Sequence, residues 1–302
     1  MLVVERHDPA HQVLNRALVL ARHLHARLDL LLFDEEYVEP ASVAAPGHEQ
    51  ARQRNERSAR SAREYLEALR GSIDAPGVEI TIDVVGGATL AEAVVHKVLN
   101  RCPDLVIRCA HTDGRGEFAR GDMRLVQVCP APVLLTSGRP WHARPHLAAV
   151  VDLYDRHSLE STRAVTAMGA RLREGCAGEL DILYEDPSLT EGEGEGAGEG
   201  EGGLVAGPRH DELLRRLSEL CVQGGVDEEH LHPIAPAATA SLARLVESRG
   251  FDVLIHAVPD PQPAGAAWSG TTPPNRPLAP LECDLLFVRP GRYQRYDRPV
   301  VN

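Results

Sequence analysis

Aromatic side chains are scarce: Phe, Trp and Tyr together make up 4% of the 302 residues. The core must therefore be aliphatic, built from Leu, Val, Ile and Ala. Cysteine is also sparse, six in all and with no Cys-x-x-Cys pair, which excludes a disulfide framework. No run of about 18 apolar residues occurs, so no segment is expected to span a bilayer as a helix. The opening residues lack the apolar stretch of a signal peptide, because Glu5, Arg6 and Asp8 bring charge at once. A basic excess is missing too: 32 Lys and Arg stand against 44 Asp and Glu, a net charge of −12. Nucleic-acid binding without sequence preference needs a basic face, and so does docking on anionic lipid. Neither nucleic acid nor membrane is an expected partner. These absences predict a soluble, reduced, cytoplasmic protein.

What is present fits a globular chain, with 43% hydrophobic and 25% charged residues. The length suggests about two domains at roughly 150 residues each. The charge is unevenly placed. Residues 185–203 carry seven acids and no Lys or Arg, and the remainder of the chain has a net charge of −5. The Glu/Gly alternation from Glu191 to Gly203 repels itself and buries nothing, so it reads as a disordered insert.

Three apolar runs recur in the same order. Leu28-Asp29-Leu30-Leu31-Leu32-Phe33 returns as Leu180-Asp181-Ile182-Leu183-Tyr184-Glu185, offset by 152. Asp104-Leu105-Val106-Ile107 returns as Asp252-Val253-Leu254-Ile255, offset by 148. Ala131 to Thr136 returns as Cys283 to Val288, again offset by 152. This doubling indicates two copies of one domain, joined near the Pro-containing stretch Ser137–Pro145.

Within each copy, strands alternate with helices. The first copy reads as strands at Leu2–Glu5, Leu28–Phe33, Val78–Val85, Leu105–Cys109 and Val133–Thr136. Helices are expected at Gln12–His25, Gln50–Leu69, Leu90–Leu99 and Met123–Val128. The second copy repeats this with strands at Leu147–Val151, Leu180–Tyr184, Glu229–Ile234, Val253–His256 and Leu285–Val288. Its helices are expected at Ser158–Arg173, Asp211–Val222 and Ala238–Arg249. The proline-rich run Pro259–Pro280 leaves no room for a fourth helix. Such alternation implies βαβ crossovers and a mostly parallel sheet.

Cys129-Pro130-Ala131-Pro132-Val133-Leu134-Leu135 resembles the closing strand of the universal stress protein family. Asp104 to His111 resembles the fourth strand of its tandem, two-domain members, and Cys283 to Tyr293 resembles their carboxyl end. The resemblance implies an α/β fold of two tandem universal-stress-protein-like (adenine nucleotide alpha hydrolase-like) domains. Each would be a five-stranded parallel sheet of order 3-2-1-4-5 flanked by helices. The first domain would cover 1–137, a linker 138–146, and the second domain 147–302 with the acidic insert at 188–207. Family members pair through their last strands, which implies intramolecular pairing of the two domains, with a homodimer as a further arrangement.

Open parallel sheets take ligands at the carboxyl ends of their strands, where the strand order reverses. The resemblance implies an acid after strand one and Gly-x2-Gly-x9-Gly-Ser/Thr after strand four in members that bind ATP. Glycine backbone N–H groups and a helix start would then cradle phosphates. The first copy departs from this. Cys109 and Thr112 fall on the first two glycine positions, while Gly114, Gly116 and Gly121 are out of step. Asp113, Glu117 and Asp122 place negative charge where phosphates would sit, and Arg115 and Arg120 offset part of it. Glu5 stands where an Asp is usual. The second copy keeps Asp152 after strand one and the spacing Ala257-x2-Asp260-x9-Gly270-Thr271. It lacks the first two glycines, sets Asp260 against phosphate, and loses donors at Pro259, Pro261 and Pro263. Asp152, Ala257, Asp260, Gly270 and Thr271 thus form a degenerate nucleotide site.

Other constellations are weaker. His230 and His232 would share one face of a strand, half of a zinc site, but no further ligand lies close in sequence. Cys109 beside His111 is a candidate redox thiol, with a small buried hydrophobe as the alternative. Arg52, Arg54, Arg57, Arg60 and Arg63 alternate with Glu56 and Glu64, a solvated helix face. No nucleophile elbow occurs. No catalytic residue, metal or cofactor is therefore expected. The resemblance implies a role in stress response, here as a non-catalytic interaction or scaffold protein. The alternative is a weak ATP-binding sensor or slow ATPase working through the second domain.

Overall fold

Aliphatic runs bounded by turn residues become the strands. The computed structural model describes residues 1–6, 10–37, 49–87, 89–112, 118–151, 158–186, 189, 208–223, 225–234, 239–258 and 283–290. Two units emerge. Met1–His111 with Phe118–Pro140 make the first, and the described residues from Trp141 onward belong, with Thr112, to the second.

In the first unit the strands are β1 (Leu2–Val4), β2 (Leu28–Phe33), β3 (Ile80–Val85), β4 (Val106–Cys109) and β5 (Val133–Thr136). Their order is β3-β2-β1-β4-β5. All pairings are parallel, with Val3 opposite Leu31 on one side and Arg108 on the other. Consecutive residues of a strand face opposite sides. Since Leu2, Val3 and Val4 are all buried, both faces of β1 are covered, as a parallel sheet requires. The covering helices are α1 (Ala10–His23), α2 (Glu49–Gly71), α3 (Leu90–Arg101) and α4 (Arg120–Val128). Val13, Leu14, Ala17, Leu18 and Ala21 give α1 its buried stripe. Thr89 caps α3 by accepting from the Glu92 N–H at 3.3 Å. At the other end Cys102 takes a left-handed conformation (φ 47°) and returns its N–H to Val98 O. After β3, Gly86 leaves space for the loop beyond β2, because a Cβ there would lie 1.7 Å from the Tyr37 carbonyl oxygen.

The second unit repeats the plan. Its strands are β6 (His146–Val151), β7 (Glu179–Glu185), β8 (Leu231–Ile234), β9 (Val253–Ala257) and β10 (Asp284–Val288). The order is β8-β7-β6-β9-β10, again wholly parallel. Its described helices are α5 (Ser158–Cys176), α6 (Pro208–Gln223) and α7 (Thr239–Arg249). Each unit therefore carries the 3-2-1-4-5 order.

Two details differ from the sequence expectation. His230 does not lie on a strand: Glu228–His230 form a 3-10 turn, and β8 begins at Leu231. His146 is the first residue of β6, not part of a linker. The segment before it is tied down, with Trp141 Nε1 donating to Asp284 at 3.0 Å and the His142 N–H to Asp252 at 3.0 Å.

Candidate functional site

In the first unit the strand order reverses between β1 and β4. A cavity of about 700 Å³ opens there, at the carboxyl ends of β1, β2 and β4. That is large enough for a small-molecule ligand. Glu5 follows β1, Phe33 and Asp34 close β2, Ser58 and Ser61 come from α2, and Arg108 rises from β4. Leu90 and Gly121, from the starts of α3 and α4, complete the wall.

The electrostatics of this cavity are internally balanced. Its lining holds four carboxylates (Glu5, Asp34, Glu35, Glu36) against three guanidiniums (Arg6, Arg57, Arg108). Arg6 bridges α2 and β2, donating to Ser61 Oγ at 2.9 Å and to Asp34 Oδ2 at 3.0 Å. The second Asp34 oxygen accepts the Glu36 N–H at 3.0 Å. Arg108 is buried and donates through Nε to Asp122 and through Nη1 to Glu5. Burial works against its charge, but Asp122 and Glu5 outweigh that and hold its pKa up.

Asp122 is fully buried, in the first turn of α4. This corrects the sequence reading, which set its charge in the mouth of a phosphate loop. Its other oxygen accepts the His111 N–H at 2.8 Å. The His111 ring lies 3.3 Å from Glu5 and 3.4 Å from Asp122. A helix start and a buried cation are the two features that would hold a phosphate. Here an internal carboxylate sits on the cation and carries the negative charge favoured at the helix start.

Sequence reasoning missed Arg108. The signal was a lone cation in the strand Val106-Ile107-Arg108-Cys109, with Glu5 and Asp122 on neighbouring elements. Cys109, half-buried, ends β4, and its Sγ lies 3.8 Å from the Ala110 carbonyl oxygen. The ring of His111 is turned to the two carboxylates. Asp113, Arg115 and Glu117 lie outside the described residues.

In the second unit, Ala257 is the last residue of β9, paired with Val288, and it is half-buried. Asp152, Asp260, Gly270 and Thr271 lie outside the described residues, as do Pro259–Pro280 and most of the acidic insert. One residue before Ala257 sits His256, only 1% exposed. It aligns with Arg108 by the offset of 148, lies opposite Val150 and Phe287, and stacks on the Phe287 ring. Neither ring nitrogen finds a hydrogen-bond partner among the described residues. Burial drives its pKa down to about 4.

His230 and His232 do converge, although from a turn and a strand. Both meet Asp181 on β7. Among the described residues, no group of three or more His, Cys, Asp and Glu has the arrangement of a metal site. No described helix is long and apolar enough to cross a membrane.

No family model matches the sequence, and no curated protein matches it significantly. Solved structures do match. A protein from Pseudomonas aeruginosa UCBPP-PA14, assigned to the universal stress proteins, is 16% identical with a TM-score of 0.62; the match covers 96% of this chain and 92% of that one. A functionally unknown protein from Pseudomonas aeruginosa PAO1 is 15% identical (TM-score 0.61), with the same two coverages. A universal stress protein from Archaeoglobus fulgidus DSM 4304 is 11% identical (TM-score 0.61), covering 95% of this chain and 97% of its own. At such low identity the likeness speaks to architecture, and it shows that this chain has the fold of the universal stress proteins.

Proposed function

We propose that the chain is a tandem universal stress protein that acts in stress response without catalysis, through protein contacts, with nucleotide clefts that have lost their ligand. The observation that carries this reading is the Arg108–Asp122 pair. Phosphate binding at the first unit's switch point would need the cation and helix start that Asp122 already engages. The remaining carboxylates of the cavity would repel a polyphosphate. The two domains are proposed to pair with each other within the chain.

Thermal unfolding with and without millimolar Mg-ATP tests the reading. A ligand at 100 times its dissociation constant stabilises by ~2.7 kcal/mol, several degrees for a domain of this size. The expected result is no shift. A shift abolished by Asp152→Ala would overturn the reading. It would instead establish the weak ATP-binding sensor, working through Asp152, Ala257, Asp260, Gly270 and Thr271.

A further inference from the structure

The two units place an aspartate at the same point of their second strand, near the amino edge of the sheet, opposite the ligand edge. These are Asp29 on β2 and Asp181 on β7, related by the offset of 152. Their partners differ in kind. Asp29 accepts from Arg27 at 2.8 Å and from the Thr81 hydroxyl at 2.6 Å. Neither partner changes charge near neutral pH.

Asp181 is 2% exposed and meets three imidazoles and a guanidinium. His146, at the start of β6, approaches Oδ2 with Nε2 at 3.2 Å. His230, from the turn before β8, approaches Oδ1 with Nδ1 at 2.7 Å. His232 on β8 lies 3.2 Å from Oδ2, and Arg249, at the end of α7, lies 3.5 Å from it. Thr81 pairs directly with Asp29, whereas His230 comes just before Leu231, which pairs with Ile182.

The three imidazoles are not equivalent. His232 Nε2 lies between Arg249 Nη1 at 3.0 Å, which can only donate, and Asp181 Oδ2 at 3.2 Å, which can only accept, and burial and the Arg249 charge lower its pKa. His230 needs only one N–H to meet Asp181, and Glu229 lies 3.9 Å from its other nitrogen. His146 faces acceptors on both sides: the Asp181 carboxylate, and the Arg249 carbonyl oxygen 3.3 Å from Nδ1. Only the doubly protonated ring satisfies both. That carbonyl lies at the end of α7, where the helix dipole also favours a cation. Glu179 adds to this from β7, and the Phe251 ring packs against the imidazole at 4.5 Å. The backbone beneath is fixed, since the His146 N–H donates to Asp252, which also holds His142.

We propose that this cluster is a proton-operated clasp: protonated His146 ties β7 to the end of α7 through Asp181 and the Arg249 carbonyl, and the tie loosens when the ring gives up its proton. The hydrogen bond to Asp181, partly opposed by burial, raises the His146 pKa above its ordinary 6.5. Burial opposes the Asp181 charge, yet bonds from His146 and His230 hold its pKa at about 2. The signs follow from linkage. The His146 contribution is complete below about pH 6.5 and is lost as pH rises through its folded value. The Asp181 contribution is complete above about pH 4 and lost only in strong acid. The clasp therefore responds as pH rises above about 6.5, whereas the direct hydrogen-bond partners of Asp29, Arg27 and Thr81, do not titrate there.

Histidine NMR titration and melting curves of the full chain from about pH 6.5 to 8.5 test this. The signal lost in His146→Gln is expected to titrate above 6.5 and to return to 6.5 or below in Asp181→Asn. The Met1 amino group, whose pKa burial lowers from 8.0 to about 6, gains stability as pH rises over part of that range, so the readout is the difference: the melting temperature of His146→Gln is expected to rise more, or fall less, with pH than that of the wild type. Asp29→Asn should lower stability but leave the His146 signal titrating as in the wild type. The proposal is overturned if His146 titrates at or below 6.5, or if His146→Gln keeps the slope. One equivalent of zinc that raises the melting temperature of wild type but not of His146→Gln would also overturn it, making the cluster a metal site. Should Asp181→Asn fail to fold, His146→Gln alone decides.

Discussion

Asp122→Ala is expected to destabilise the first unit by about 3–5 kcal/mol, the range for removing one partner of a buried ion pair. Asp122 is fully buried and the Arg108 side chain is 7% exposed. Without Asp122 the guanidinium keeps, among the described residues, the Glu5 carboxylate, which is itself 31% exposed. The His111 N–H loses its acceptor as well. The melting temperature should fall on the order of 10 °C. The decisive comparison is the double variant Arg108→Met with Asp122→Leu. Well-packed apolar replacements of a buried pair are often neutral, so it should regain most of the loss. Urea unfolding of both variants at neutral pH measures the difference. A loss below about 1 kcal/mol in Asp122→Ala would show that solvent reaches the pair, as it does for surface pairs. The reading of the first cleft as internally closed would then fail.

How far the sequence discloses this arrangement depends on the range of the interaction. β2 and β5 are found at the residues expected, Leu28–Phe33 and Val133–Thr136, because an aliphatic run between polar residues is a local signal. Helix ends were less legible. α4 begins at Arg120 rather than Met123, since its first turn lacks an apolar stripe: Arg120 and Gly121 are exposed. The Glu5–Arg108 pair joins residues 103 apart in sequence. No periodicity reports it, and it follows only once β1 and β4 are neighbours. Asp122 was visible as an acid near a loop, but its direction is set by which face of α4 packs on the sheet. The Asp181 cluster had a usable signal. An aspartate inside a strand, repeated at the same place in both copies, has to be paired, because a buried charge is otherwise too unfavourable. The Pro-rich and Glu/Gly-rich stretches had the opposite character, giving composition without a periodic pattern. There the residues proposed from family spacing rest on the sequence alone.

The second large effect is expected at His256. Its ring is buried against Phe287 and cannot hold a proton without desolvating a charge. The unfolded chain titrates near 6.5 and the folded one at about 4. The unfolded state therefore binds more protons between those values, and stability must fall as pH drops through that window. At 1.36 kcal/mol per pKa unit, the loss by pH 4 is about 3 kcal/mol. His232, whose pKa burial also lowers, acts in the same direction. His256→Leu keeps an apolar side chain of similar size and removes two nitrogens without partners among the described residues. It should raise stability at pH 7 by about 1–3 kcal/mol, the desolvation penalty of an unsatisfied polar group. It should also flatten the acid limb. Urea titrations at pH 7 and pH 4.5 on both proteins read the two effects together. An unchanged acid limb, with no gain at pH 7, would mean that the ring is partnered. His256 acts below pH 6.5 and His146 above it, the latter against the Met1 amino group, whose pKa burial lowers to about 6 and whose contribution grows with pH. His256→Leu should therefore change the profile below pH 6.5 and leave it in place above, and His146→Gln the reverse.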